Sequence, residues 1–255
     1  ITCRDWSSDV CSSDLSRRVR NAMAGRLMDT AMINPIIHWQ SPETKNKVIE
    51  ELQNNKVLIT TTDTIPGFLA NATTQGFDAL NSIKQDRQTK PYIILISDIS
   101  KLDYFVQPEQ LTQQIKHLIK KCWPGPLTII FKAKKELPAF LKSENNTVAI
   151  RCPNYPPLLD VLKNFNGLFS TSANISNTPA PKTIAAVNHQ VALQVKYLVD
   201  DNNSNDSQSY ETKPSTIINV SEIAKTDQIK IIRQGAYTIQ DLEKILGENI
   251  KIEKK

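Results

Sequence analysis

Cysteine, histidine and glycine are all scarce in this chain, and none of them falls in a pattern that carries chemistry. Cys3, Cys11, Cys122 and Cys152 include no CxxC pair, so zinc ribbons and thioredoxin-like redox centres have no support. Cys122 and Cys152 stand in apolar surroundings, the setting of reduced, inert thiols in a cytosolic protein. His38, His117 and His189 lack ligand spacing, and HExxH is absent, which speaks against a zinc hydrolase. The seven glycines never stand two residues apart, so there is no GxGxxG, and GxSxG and a Walker lysine loop are missing as well. Dinucleotide-binding dehydrogenases, esterases and P-loop NTPases are disfavoured accordingly. No apolar run approaches the roughly 18 residues that cross a bilayer.

What is present is a 255-residue chain of ordinary apolar content, long enough for a substantial core. A net charge of +5 suits a phosphate-bearing ligand or weak RNA contact, and equally an ordinary basic surface. Residues 1–15 (ITCRDWSSDVCSSDL) have neither periodicity nor the apolar centre of a signal peptide, and residues 16–31 are basic and unpatterned. Residues 1–31 are therefore expected to be a non-native or disordered extension, with one domain over 32–250 and a fraying lysine-rich tail over 251–255.

Within that domain, strands are expected at 57–60, 92–96, 127–131, 147–151, 195–199, 215–220 and 229–232. Helices are expected at 41–53, 73–84, 110–121, 156–163, 183–189 and 238–246. Ser41-Pro42-Glu43 reads as the first helix start and Gly247 as the last helix stop. Residues 200–214 are polar and almost free of apolar side chains, the composition of a mobile loop. This interleaving predicts a single α/β domain with a twisted mixed sheet flanked by helices around a basic pocket.

Several strand ends carry polar groups beside a conformational breaker. Thr62-Asp63-Thr64-Ile65-Pro66-Gly67 follows the first strand, and Ser170-Thr171-Ser172-Ala173-Asn174-Ile175-Ser176 ends another. Open α/β sheets place ligands at such ends, although an Asx-type turn or a helix cap uses the same residues. Lys84, Arg87 and Lys90 gather three cations before a buried strand. They suit a polyphosphate or a solvated surface. Arg151 closes an apolar strand and needs a partner, either a ligand anion or a structural acid.

Taken in register, these stretches resemble the YrdC/TsaC family of L-threonylcarbamoyladenylate synthases. Trp123-Pro124-Gly125-Pro126-Leu127-Thr128 reproduces the family's WPGPLT. Residues 61–67 resemble PTDTVYG, with Thr61 in place of proline and Pro66 in place of tyrosine, Val148–Pro153 resembles VAVRVP, Ser170–Ser176 resembles STSANxS, Pro214-Ser215-Thr216 matches PST and Arg233–Ala236 matches RxGA. The family's KxR element departs here: the arginine of Lys84-Gln85-Asp86-Arg87 stands one position late, with Asp86 in its usual place.

The resemblance implies that ATP, L-threonine and bicarbonate become threonylcarbamoyl-AMP, pyrophosphate and water, for t6A modification of tRNA. It implies Lys84, Arg87, Ser172 and Asn174 as the catalytic group, with Thr128 and Arg233 joining them around ATP. Thr62, Lys90, Arg151, Ser170 and Ser215 are implied for threonine and its carbamate. Mg²⁺ is expected to arrive with the nucleotide, with no metal held by protein ligands. Expected partners are t6A-transferase proteins that use the adenylate and a weak tRNA contact, in the cytoplasm and away from membranes. Two alternatives stay open: a YrdC-like protein binding nucleotide or double-stranded RNA without synthase activity, and a carbamoyl-transfer domain of the hydrogenase-maturation kind.

Overall fold

A computed structural model describes residues 35–84, 91–201, 213–226, 228–247 and 251–253. The expectations for residues 1–31, for Arg87 and Lys90, and for most of the 200–214 loop lie outside the described residues.

Eleven strands among the described residues form one mixed sheet. In chain order they are β1 (Ile36–His38), β2 (Leu58–Thr60), β3 (Gly67–Asn71), β4 (Ile93–Leu95), β5 (Leu127–Lys132), β6 (Thr147–Arg151), β7 (Leu168–Ser172), β8 (Leu198–Asp200), β9 (Thr216–Asn219), β10 (Gln228–Arg233) and β11 (Lys251–Glu253). Their spatial order is β1-β8-β2-β3-β7-β4-β6-β5-β9-β10-β11. Parallel pairs such as β4–β6 and β5–β9 alternate with antiparallel pairs such as β3–β7 and β5–β6. The helices are α1 (Thr44–Gln53), α2 (Thr74–Ile83), α3 (Leu102–Phe105), α4 (Gln113–Cys122), α5 (Pro156–Leu162), α6 (His189–Ala192), α7 (Ile223–Thr226) and α8 (Ile239–Leu246).

The pleat decides where the site can be. Side chains alternate across a strand, and Ile94, Phe131, Val148, Ile150, Phe169 and Ile218 face one way into the larger core, with Leu80, Leu118 and Leu242 of α2, α4 and α8. Complete burial of such side chains contributes about 1.5–3 kcal/mol each. The opposite face is covered at one end, where Val48 and Leu52 of α1 and Leu158 and Leu162 of α5 pack on Leu58, Leu69 and Leu168. Beyond that cover, the alternate residues Ile93, Ala149, Arg151, Ser170 and Ile217 look into a cavity instead of a helix.

Local chemistry sets the element ends. Thr73 accepts from the Gly76 amide to cap α2, Thr112 does the same for α4, and Thr238 and Asp241 form a reciprocal capping box on α8. The first helix starts three residues later than Ser41 suggests, because residues 41–43 form a turn in which the Thr44 amide donates to the Ser41 carbonyl. The helix expected over 183–189 is a single 3-10 turn at Ile184–Ala186 followed by α6, with Thr183 and Asn188 each capping its own short piece. Strands β1 and β3 were not anticipated. The tail is a further correction: Lys251–Glu253 pairs with β10, and Ile252 packs against the core.

Candidate active site

The cavity holds about 300 Å³ and lies where five strand ends meet on the uncovered face. Thr62 and Thr64 come from the loop after β2, Arg151 from the end of β6, and Ser170 and Ser172 from β7. Ser215 precedes β9, and Arg233 ends β10. Gly67 lets the wall approach closely, since a Cβ there would lie 3.1 Å from the Thr171 carbonyl oxygen and 3.3 Å from Ser170 Oγ. Thr62, Arg151, Ser170, Ser172, Ser215 and Arg233, separated widely in sequence, therefore share one wall.

Arg151 is buried and held from three directions. Its Nη1 donates to Thr64 Oγ1 at 2.9 Å, its Nε donates to the Gly125 carbonyl at 3.2 Å, and its Nη2 pairs with Asp63 Oδ1. The structural acid left open by the sequence is thus Asp63, whose second oxygen accepts from the Asn154 amide at 2.9 Å. Removing one member of such a buried pair costs about 3–5 kcal/mol. Three of the five guanidinium N–H groups are used in these contacts.

Arg233 is placed differently. Its Nε and Nη2 donate to the Ser215 carbonyl at 3.1 and 2.8 Å, and Nη2 reaches Ser215 Oγ at 3.1 Å. These acceptors are neutral, and no carboxylate lines the cavity among the described residues. Burial lowers the Arg233 pKa from its ordinary value, and the Arg151 charge lowers it further. Two guanidinium groups therefore sense each other across a space that favours an anion.

Thr128 is fully buried and does not line the cavity, and its Oγ1 shares a 2.9 Å hydrogen bond with Ser215 Oγ. Lys84 and Asn174 also lie off this cavity. Lys84 Nζ is buried and donates to the Ser172 carbonyl at 3.1 Å, the Asn174 carbonyl at 2.6 Å and Asn174 Oδ1 at 3.2 Å. Ser172 Oγ donates to Asn174 Oδ1 at 2.6 Å. The structure thus brings Lys84, Ser172 and Asn174 together as a network whose Ser172 corner opens into the cavity. Thr62 Oγ1 accepts from the Thr64 amide as an ST-type turn, and the residue also lines the cavity.

Asp63 and Thr64 were not singled out from sequence. Their signal lay in the strand-end segment itself, but whether an acid there meets a ligand or an arginine depends on a contact 88 residues away in sequence.

The family model Sua5–YciO–YrdC, described as telomere recombination, matches residues 50–235. The chain is 32% identical over 211 residues to a putative threonylcarbamoyl-AMP synthase of Methanocaldococcus jannaschii, covering 81% of this chain and 94% of that protein. It is 29% identical over 204 residues to the threonylcarbamoyl-AMP synthase of Bacillus subtilis, covering 77% of this chain and 54%, about half, of that longer protein. The P. abyssi Sua5 structure complexed with L-threonine superposes with a TM-score of 0.71 at 22% identity, covering 86% of this chain and 62% of that one. At that identity the likeness establishes the fold. The architecture and the match across nearly the whole described domain place this chain in the Sua5/YciO/YrdC family.

Proposed function

We propose that the protein is an L-threonylcarbamoyladenylate synthase, which condenses L-threonine, bicarbonate and ATP into threonylcarbamoyl-AMP with release of pyrophosphate. The observation that carries this reading is the convergence of Arg151, Arg233 and six hydroxyl-bearing residues on a cavity whose lining, among the described residues, contains no carboxylate. The threonine amine captures bicarbonate with loss of water, or CO₂ with loss of a proton, and the resulting carbamate oxygen attacks the α-phosphorus of ATP as pyrophosphate departs. Charge grows on phosphate oxygens in that step, so cations and oriented hydroxyls serve it better than a tuned base.

In this reading Arg151, Thr62, Ser170 and Ser215 hold threonine and its carbamate, joined by Lys90. Arg233, Ser172, Asn174, Lys84 and Arg87 serve the nucleotide. Lys84 contributes by fixing the Ser172–Asn174 turn and by its charge, since its ammonium already donates to three acceptors there. Thr128 acts through Ser215 and not on ATP directly.

Mg²⁺ belongs with the nucleotide. Among the described residues no three acids, histidines or cysteines cluster for a metal, and both oxygens of Asp63 are engaged. The ion would ride on the phosphates with waters, as Mg²⁺ commonly does. The adenylate would pass to t6A-transferase proteins, and the net charge of +5 suits a weak tRNA contact. No helix among the described residues is long and apolar enough to cross a membrane, and we place the protein in the cytoplasm.

Pyrophosphate release from ATP with bicarbonate, measured with and without L-threonine, tests the proposal. Release that depends on threonine supports it; release indifferent to threonine, or none, overturns it.

A further inference from the structure

We propose that Asp63 is a positioning residue for substrate, acting through Arg151: its carboxylate fixes the guanidinium so that the unused N–H groups face the cavity. The inference rests on the reading that Arg151 holds threonine or its carbamate.

The geometry is specific to that task. Asp63 Oδ1 takes Arg151 Nη2, while Oδ2 takes the amide of Asn154 at 2.9 Å, immediately after Pro153 of the cavity wall. One carboxylate therefore ties the loop after β2 both to the last residue of β6 and to the turn that follows it. Side-chain exposure is 10% for Asp63 and 7% for Arg151, so the pair is largely shielded from bulk water. Thr64 Oγ1 and the Gly125 carbonyl complete the hold on Nη1 and Nε. An arginine fixed on three sides loses little further rotamer freedom when a ligand arrives, which favours binding. Asp63 pairs with Arg151, whereas Arg233 meets no carboxylate among the described residues that line the cavity. Asparagine at position 63 would keep one acceptor for Arg151 but turn an NH₂ toward the Asn154 amide, donor against donor.

The test is a double-mutant cycle read in Michaelis constants, with ATP and L-threonine varied separately. Asp63→Asn and Arg151→Gln should each raise the KM for L-threonine at least about 10-fold and leave the KM for ATP within about 2-fold, and the double variant should be no worse than the worse single. If Asp63→Asn leaves the threonine KM unchanged, moves both constants alike, or adds independently to Arg151→Gln, the inference is overturned while the role of Arg151 stands. If Arg151→Gln leaves the threonine KM unchanged, that role falls and takes the inference with it. Thermal unfolding of each variant identifies one that does not fold. In that event Asp63→Glu, which keeps the charge but moves the carboxylate by one methylene, replaces Asp63→Asn: a raised threonine KM with the ATP KM unchanged supports the inference, and an unchanged threonine KM overturns it.

Discussion

Arg233 donates to a serine carbonyl and hydroxyl, and among the described residues no carboxylate lines the cavity beside it, so its charge favours a ligand anion. Arg233→Ala should raise the KM for ATP at least about 10-fold, or about 1.4 kcal/mol, in the pyrophosphate assay. Arg233→Lys should recover part of it, since lysine restores charge without the planar fork. Asn174→Ala should cost at least about 10-fold in kcat/KM, because the amide closes the link between Ser172 and Lys84. The two described thiols play no part in this chemistry. Burial pushes Cys122 and Cys152 from an ordinary 9.0 up to about 11, aided at Cys152 by the charges of Asp98 and Asp63. Folding thus favours the protonated thiols: their contribution to stability is whole below pH 9 and is lost as pH rises toward about 11. Thermal midpoints should fall across that interval, and Cys122→Ala should flatten the fall; a profile unchanged by that substitution would count against the assignment.

The elements of the fold were legible in the sequence wherever periodicity or a cap was strong. The strand expected over 147–151 and the helix expected to start at Pro156 are where the residues put them. Strand β3 was hidden because Gly-Phe-Leu-Ala-Asn is short, begins at a glycine and pairs with β2 and β7, the latter about a hundred residues on. The edge strands β1 and β11 were hidden for a related reason: three residues carry too little pattern, and the partner supplies the ladder. In the site, polar strand ends showed which segments matter, but not which members face the cavity. Thr128 illustrates this, since it stands on the same face of its strand as Ile130 of the cavity wall, yet is fully buried against Ser215. Gly235 shows how tightly the elements are fitted there, because a Cβ would stand 2.1 Å from the Pro214 carbonyl oxygen and 2.6 Å from the Ser215 carbonyl carbon. Gly235→Ala should therefore displace Ser215 and lower kcat/KM at least about 10-fold. Thr238→Ala, on the same connection but away from the cavity, should cost about 1 kcal/mol in chemical denaturation by loss of the α8 cap and leave the Michaelis constants unchanged.

At the scale of the molecule, one mixed sheet divides two tasks between its faces. The face packed by α2, α4 and α8 carries the larger core. The other is covered by α1 and α5 at one end and, among the described residues, is open over the middle strands, where the cavity forms. A sheet that is rigid on one side can hold strand-end groups from five separate segments in register, which a phosphoryl-transfer step relying on position and charge requires. The most direct test is incorporation of ¹⁴C-bicarbonate into a nucleotide adduct, followed by chromatography and mass analysis of the labelled product. Label should appear in an adduct with the mass of threonylcarbamoyl-AMP when ATP and L-threonine are both present, and should vanish when either is omitted. Pyrophosphate release without label in such an adduct, or label in an adduct formed without threonine, would contradict the account.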